Sequence, residues 1–132
     1  MKLQDWIPDV VGLAQYVWNS ELNLYGASFI KAMNPNCLVI LGGPNQDLDA
    51  KKRHAFLARW KDTVDLCVAY DGEIPFMMTI QRLLNNESSY DLKKNPPPGI
   101  FCLEPDTNKL VCSPESPPKV NDLDGFGSVY AD

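Results

Sequence analysis

A glycine pair that follows a short apolar run is the strongest sign of a binding site in this 132-residue chain. Residues 37–41 contain no polar side chain, and the run stops at Gly42, Gly43 and Pro44. Such a run is typical of a parallel strand that is buried on both faces. Open α/β sheets bind ligands at the carboxyl ends of their strands, and glycine lets a ligand approach the backbone closely. The pair therefore predicts a ligand site at the end of this strand.

Metal or thiol chemistry has less support in the sequence. The four cysteines, at 37, 67, 102 and 112, are not spaced as CxxC or as the CxxxCxxC of an iron–sulfur cluster. Cys37 and Cys67 fall in predicted buried strands, and Cys102 and Cys112 flank a predicted hairpin, so we expect structural, reduced thiols. The single histidine, His54, lies among cationic residues on a predicted helix, which favours a surface position.

The composition argues against two classes of partner. The formal net charge is −5, and the 12 lysines and arginines are scattered rather than clustered as nucleic-acid binding requires. No apolar stretch reaches the roughly 20 residues that span a bilayer, and the N-terminus lacks a signal-peptide pattern. We expect a cytoplasmic protein that binds neither nucleic acid nor membrane.

The elements that must position the glycine pair alternate along the chain. Apolar runs at 10–14, 37–41 and 64–70 are separated by helix-like stretches, which predicts an α/β fold with a parallel sheet. The expected architecture is a partial Rossmann-like, or flavodoxin-like, sheet. The predicted helices begin near Asn19 or Ser20, near Asp47 or Asp49, and after residues 71–73.

Each predicted helix carries apolar residues at three- and four-residue spacing, which we interpret as its buried face. These are Leu22, Tyr25, Phe29, Ile30 and Met33 in the first helix, Phe56, Leu57 and Trp60 in the second, and Phe76, Met77, Ile80, Leu83 and Leu84 in the third.

The last third of the chain has a different character. Residues 85–98 are polar and proline-rich and predict a connector, and residues 99–103 and 109–112 bracket a turn and predict a β-hairpin. Residues 114–132 predict an extended linker. The expected organisation is an α/β domain at 1–85, a connector and hairpin at 86–113, and the linker.

Three segments together resemble a known family. In order they are residues 8–19 (PDVVGLAQYVWN), 34–44 (NPNCLVILGGP) and 64–73 (VDLCVAYDGE). They resemble the cobalamin-binding domain that precedes the catalytic barrel of cobalamin-dependent radical S-adenosylmethionine proteins. The hairpin resembles the family's short β-insertion, and residues 121–130 resemble its linker into the barrel. Ala14, Asp71, Gly127 and Val129 depart from the family pattern.

The resemblance implies a metal-containing cofactor, cobalamin, above the carboxyl ends of the strands, with its nucleotide tail beside the glycine pair. Residues 15–19 would form one wall and residues 71–73 another, although ordinary packing also explains Tyr16 and Trp18. The implied binding residues are Ala14, Gln15, Tyr16, Trp18, Asn19, Gly42, Gly43, Pro44, Asp71, Gly72 and Glu73.

The resemblance also implies that part of the family's fold lies upstream. The family has two further strands before the position of Pro8, where this sequence has seven residues, so we expect an N-terminally truncated module. The iron–sulfur cluster and S-adenosylmethionine would belong to a barrel supplied in cis or in trans. The module would not be catalytic alone, and its parent would perform methyltransferase-type or related radical chemistry.

Two alternatives remain at this point. The same sheet could build a receiver-like or flavodoxin-like signalling or interaction domain, for which Asp71 would be the phosphoacceptor. The chain could also be a nonfunctional remnant, since an unpaired edge at residues 10–14 predicts marginal stability or a homodimer formed through that edge.

Overall fold

The computed structural model describes residues 7–69 and 71–115. Its strands and helices alternate over the first two thirds of the chain, as the apolar runs predict. The elements are β1 (Val10–Ala14), α1 (Ser20–Met33), β2 (Leu38–Gly42), α2 (Ala50–Arg59), β3 (Leu66–Val68), α3 (Glu73–Leu84), α4 (Ser89–Lys94), β4 (Ile100–Leu103) and β5 (Leu110–Cys112). Most of the predicted linker at 114–132 lies outside the described residues.

The five strands form one mixed sheet in the order β1-β2-β3-β4-β5. β1, β2 and β3 are parallel, and β4 and β5 are added antiparallel to them. The α/β class and the partial Rossmann-like arrangement are therefore confirmed. The predicted hairpin is present as β4 and β5, and it extends the sheet because Phe101 pairs with Cys67 of β3. The carboxyl ends of β1, β2 and β3 meet at one edge, where the glycine pair lies.

The core has two halves because successive strand residues face opposite sides of the sheet. On one side Leu24 of α1 and Leu57 of α2 belong to a cluster with Leu41, Cys67 and Phe101. On the other side the cluster contains Ile40, Leu66, Ile100 and Leu92 of α4, with Leu83 of α3 packed against it. Helices therefore cover both faces of the sheet.

The predicted apolar face of α1 was wrong for three of its five residues, and the other two, Ile30 and Met33, are partly buried. Leu22 and Tyr25 are 70% and 74% exposed and Phe29 is also exposed, whereas Leu24 and Ala27 are buried. α1 contacts the sheet through Leu24, whose cluster includes Leu41 of β2 and has Leu13 of β1 packed against it, so only a narrow strip of the helix is covered. Spacing alone could not show which of two apolar strips faces the sheet.

The other two stripes had mixed outcomes. In α2 the prediction is confirmed, because Leu57 is buried and Phe56 and Trp60 pack against its cluster. In α3 the buried residues are Pro75 and Thr79, whereas Phe76, Met77 and Leu84 are exposed. The Thr79 hydroxyl is satisfied inside the helix, where it donates to the Pro75 carbonyl at 2.8 Å. A polar residue that bonds within its own helix is invisible to a hydrophobic pattern.

The predicted connector contains a helix that the sequence analysis missed. α4 begins after Ser88, whose hydroxyl oxygen accepts a hydrogen bond from the Asp91 backbone N–H at 3.1 Å. Leu92 is fully buried and anchors this helix on the sheet. The Ser-x-x-Asp spacing is an N-cap signature, and it was the available signal.

Asp65, at the amino end of β3, forms ion pairs with helices on both faces of the sheet. This buried carboxylate lies 2.6 Å from Lys31 Nζ of α1 and 2.6 Å from Lys93 Nζ of α4. It also accepts a hydrogen bond from the Val39 backbone N–H at 2.8 Å. A buried charge is tolerated when it is paired and hydrogen-bonded in this way.

The four cysteines are free thiols. Phe101 pairs with Cys112, so Cys102, the next residue, faces the opposite side of the sheet from Cys112. Cys37, Cys67 and Cys102 are buried, and burial raises the pKa of the Cys102 thiol to about 12. None of the helices within residues 7–69 and 71–115 has the length and apolar character needed to cross a bilayer.

Candidate functional site

The carboxyl ends of β1, β2 and β3 and the start of α3 enclose an open cavity of about 720 Å³, which we term the main groove. It opens on the face of the sheet that α3 covers. Its walls are Gly12, Leu13, Ala14, Ile40, Gly42, Gly43, Pro44, Val68, Asp71, Gly72, Glu73 and Phe76.

The structure brings together most of the residues predicted to bind a ligand, and separates the rest. Those in the main groove are Ala14, Gly42, Gly43, Pro44, Asp71, Gly72 and Glu73. Gln15, Tyr16, Trp18 and Asn19 belong to the β1–α1 loop and do not line it. The turns that follow the three parallel strands therefore converge on one site, but one predicted wall lies beside that site.

Gly42 leaves part of the groove floor without a side chain. A Cβ placed on Gly42 would lie 3.6 Å from the Val68 Cβ, which is an ordinary van der Waals distance. The fold therefore has room for alanine at this position. The methyl group of an alanine here would occupy space in the groove.

Gly43 has a different role. Its φ is +108°, and an added Cβ would lie 2.7 Å from the Gln15 carbonyl oxygen. The β1–α1 loop crosses the backbone at this point, where the Gln15 N–H donates to the Gly42 carbonyl at 2.6 Å. Glycine is required here because the two loops touch through their backbones.

Gly12 and Phe76 form a part of the groove that the sequence analysis did not identify. The Phe76 ring lies over Gly12, and a Cβ on Gly12 would be 3.1 Å from Phe76 Cε2. Ile40 and Val68 continue this apolar wall. A glycine inside an apolar strand often marks close approach by another group. Gly12 lies inside the apolar run at 10–14, so the sequence did contain an indication of this contact.

The start of α3 brings polar groups to the groove. Gly72 occupies the N-cap position and makes no side-chain cap, and Glu73 lies in the first turn. Asp71 and Glu73 are both exposed. Their carboxylates give this side of the groove a negative charge and hydrogen-bond acceptors. A carboxylate in the first turn also interacts favourably with the helix dipole.

The β1–α1 loop is held by its own side chains. Asn19 occupies the N-cap position of α1 but caps through no side-chain bond. Its Oδ1 accepts from the Tyr16 N–H at 2.7 Å, and its Nδ2 donates to the Ala14 carbonyl at 2.9 Å. Tyr16 and Trp18 stack with ring centroids 4.7 Å apart, and Trp18 is 82% exposed. The loop therefore presents a rigid aromatic surface next to the groove.

His54 lies apart from these residues. Its ring is exposed on α2, and Nε2 is 3.0 Å from the Asn108 carbonyl of the β4–β5 turn. Within residues 7–69 and 71–115, no three or more histidine, cysteine, aspartate or glutamate side chains are grouped so as to hold a metal ion.

Comparison with known proteins gives partial matches. No protein-family profile matches the chain. Over 83 residues it is 30% identical to the cobalamin-dependent radical SAM methyltransferase TokK of Streptomyces tokunonensis. Over 83 residues it is also 34% identical to a 2-(S-pantetheinyl)-carbapenam-3-carboxylate methyltransferase of Streptantibioticus cattleyicolor.

These matches involve 63% and 60% of this chain but only 12% and 11% of the two proteins. The chain thus corresponds to a small part of each relative. The matches support a relation to cobalamin-dependent radical S-adenosylmethionine methyltransferases, in agreement with the motif resemblance, at the level of a segment of such an enzyme.

Proposed function

We propose that the main groove binds cobalamin and that the chain is a cobalamin-binding module, or part of one, of a radical S-adenosylmethionine enzyme of the methyltransferase type. The convergence of three strand ends on one groove with a glycine floor carries the proposal. The similarity to a cobalamin-dependent methyltransferase over 83 residues supports it independently.

The residues of the groove fit a large, partly planar ligand. Its volume of about 720 Å³ falls within the roughly 300–1,000 Å³ of typical cofactor sites. Gly42 and Gly72 leave backbone open to a ligand, and Ile40, Val68 and the Phe76 ring over Gly12 supply apolar contact. An open floor between apolar walls suits the nucleotide tail better than a small polar metabolite.

Each group of residues has a role in this proposal. Gly42 forms the floor, and Ala14 and Pro44 form the rim beside β1 and β2. Asp71 and Glu73 accept hydrogen bonds from the ligand at the start of α3. Tyr16 and Trp18 extend the apolar surface outside the rim. When bound, cobalamin would supply a cobalt centre for the transfer of a methyl group.

The remaining chemistry is assigned to a radical S-adenosylmethionine barrel, in cis or in trans. The chain contains four cysteines and no CxxxCxxC segment. A barrel with an iron–sulfur cluster would cleave S-adenosylmethionine and present the substrate to the module. The module's own contribution is to hold and orient the cofactor.

Titration of the purified chain with hydroxocobalamin tests the proposal. We expect a change in the visible spectrum of the corrin, saturation at micromolar concentrations and a rise in the melting temperature of the protein, because a ligand of the native state stabilises it. An unchanged spectrum and an unchanged melting temperature at cobalamin concentrations far above micromolar would overturn the proposal.

A further inference from the structure

A second, smaller cavity of about 180 Å³ lies on the opposite face of the sheet from the main groove, and we term it the side pocket. The loops that follow β1 and β2, the start of α2 and β4 enclose it. Gln15, Gln46, Asp47, Lys52, Arg53 and Phe101 are among its walls. At this size it can hold one group of a ligand rather than a whole cofactor.

Three polar atoms of the side pocket are buried and have no hydrogen-bond partner among the described residues. They are Gln15 Oε1, Gln46 Nε2 and Arg53 Nη2. Buried polar atoms are nearly always hydrogen-bonded, and each one left unpaired destabilises the fold. Three such atoms around one small cavity form a set of hydrogen-bonding positions that a bound polar group can pair.

The surrounding structure holds two of the three side chains, those of Gln15 and Arg53. Gln15 is only 3% exposed, and its Nε2 donates to the Ser20 hydroxyl at 3.2 Å, which leaves Oε1 as the free acceptor. Arg53 donates from Nε to the Asp47 carbonyl, and its guanidinium carbon lies 4.3 Å from the centre of the Phe101 ring. The pocket therefore presents two donors and one acceptor, and the acceptor and the Arg53 donor are held in position.

We propose that the side pocket binds a primary carboxamide. The amide oxygen would accept hydrogen bonds from Arg53 Nη2 and Gln46 Nε2, and an amide N–H would donate to Gln15 Oε1. The Arg53 guanidinium would attract a carboxylate or phosphate, but neither anion has a donor for Gln15 Oε1. A carboxamide pairs all three atoms, and this match of donors and acceptors favours it.

The two cavities share a wall. Gln15 lines the side pocket, and its N–H donates to the carbonyl of Gly42, which lines the main groove. The two cavities are therefore neighbours that one backbone contact separates. Cobalamin carries primary carboxamide arms on its corrin ring, and the assignment of the pocket to one of these arms rests on the proposed function.

The test compares acetamide with acetate, which have the same shape and differ in charge and donors. In ¹H–¹⁵N spectra of the full chain, acetamide should produce saturable shifts at the side-chain amides of Gln15 and Gln46, and acetate should not. Gln46→Met removes one donor at similar volume and should weaken acetamide binding about fivefold. The same variant should be at least as stable as the parent, because an unpaired buried donor is lost.

Two further variants complete the design. Lys51→Gln removes a charge from the exposed face of the same helix and should leave acetamide binding unchanged. Arg53→Lys removes the guanidinium and with it the Nη2 donor, and it replaces Gln46→Met if that variant does not fold. Acetate binding as tight as acetamide binding, or no acetamide shift at high millimolar concentration, would overturn the proposal and indicate an anion site or a water-filled cavity.

Cobalamin titration separates this proposal from the main-groove proposal. Acetamide binding without cobalamin binding retains the side pocket and rejects the cofactor. Cobalamin binding that Gln46→Met and Arg53→Lys both leave unchanged rejects the corrin arm as the occupant. Cobalamin binding that both variants weaken supports the two proposals together.

Discussion

The backbone of Gly43 lies so close to Gln15 that a Cβ on the glycine would be 2.7 Å from the Gln15 carbonyl oxygen. The neighbouring Gly42 has only ordinary contacts, the nearest at 3.6 Å from Val68. The two glycines of one sequence motif therefore have separable roles. Gly43 is required by the fold, and Gly42 keeps the groove open.

The first prediction concerns Gly43. Gly43→Ala should destabilise the chain by about 1–3 kcal/mol, because it combines a positive φ with a backbone clash. The free energy of unfolding from urea denaturation measures this. Gly26→Ala is the matched control, since a Cβ there meets nothing within 4 Å inside α1 and alanine favours a helix. Equal stability of Gly43→Ala and the parent would contradict the loop crossing.

The second prediction concerns Gly42. Gly42→Ala should leave the melting temperature of the free protein nearly unchanged and weaken cobalamin binding, and Gly42→Leu should abolish binding, because the side chain occupies the groove floor. Spectral titration measures both affinities. Gly26→Ala should bind like the parent. If Gly42→Leu remains folded and binds cobalamin normally, the cofactor does not occupy this groove.

The third prediction concerns Asp65. Asp65→Asn should cost about 3 kcal/mol of unfolding free energy, because it leaves the partly buried Lys31 and Lys93 without their counter-charge. Lys93→Met should cost less, since Lys31 remains to pair the carboxylate. Denaturation of both variants gives the ranking. Asp106→Asn, which removes an exposed partner of Lys94, is the control and should leave the melting temperature unchanged.

The fourth prediction concerns the thiols. Burial raises the pKa of Cys102 to about 12 and also raises the pKa of Cys67, so both remain protonated and unreactive at pH 8. The exposed Cys112 should react first with a chromogenic disulfide reagent, and the others only on unfolding. Fast labelling of more than one thiol in the native chain would contradict the buried positions.

The fifth prediction concerns self-association. Leu22, Tyr25 and Phe29 are exposed on α1, and β1 is an edge strand among the described residues. Exposed apolar area next to an unpaired edge favours association. Sedimentation velocity should show a concentration-dependent dimer that the double variant Leu22→Gln, Tyr25→Gln weakens. A monomer at every concentration would reject the homodimer.

The sequence was sufficient to predict the order of the strands and helices and many of the residues that line the main groove. The apolar run that ends at Gly42 is short, has no polar alternation and is followed by glycine and proline, which favours a covered strand, and parallel strands place their carboxyl ends at one edge. Ala14, Gly42 and Asp71 could thus be placed on the groove from their positions after strands. The boundaries proposed for the three segments and the binding roles of these residues remain predictions.

Tertiary structure decided which side chains face each other. Spacing identified apolar strips on α1 and α3 but not the strip that meets the sheet, because that depends on where neighbouring elements lie. The ring of Phe76 over Gly12, the backbone contact of Gly43 with Gln15 and the unpaired atoms of the side pocket all join residues distant in sequence. The local sequence shows the spacing of apolar residues, and so the type of each element. Contacts between elements form only when the sheet brings residues that are distant in sequence together.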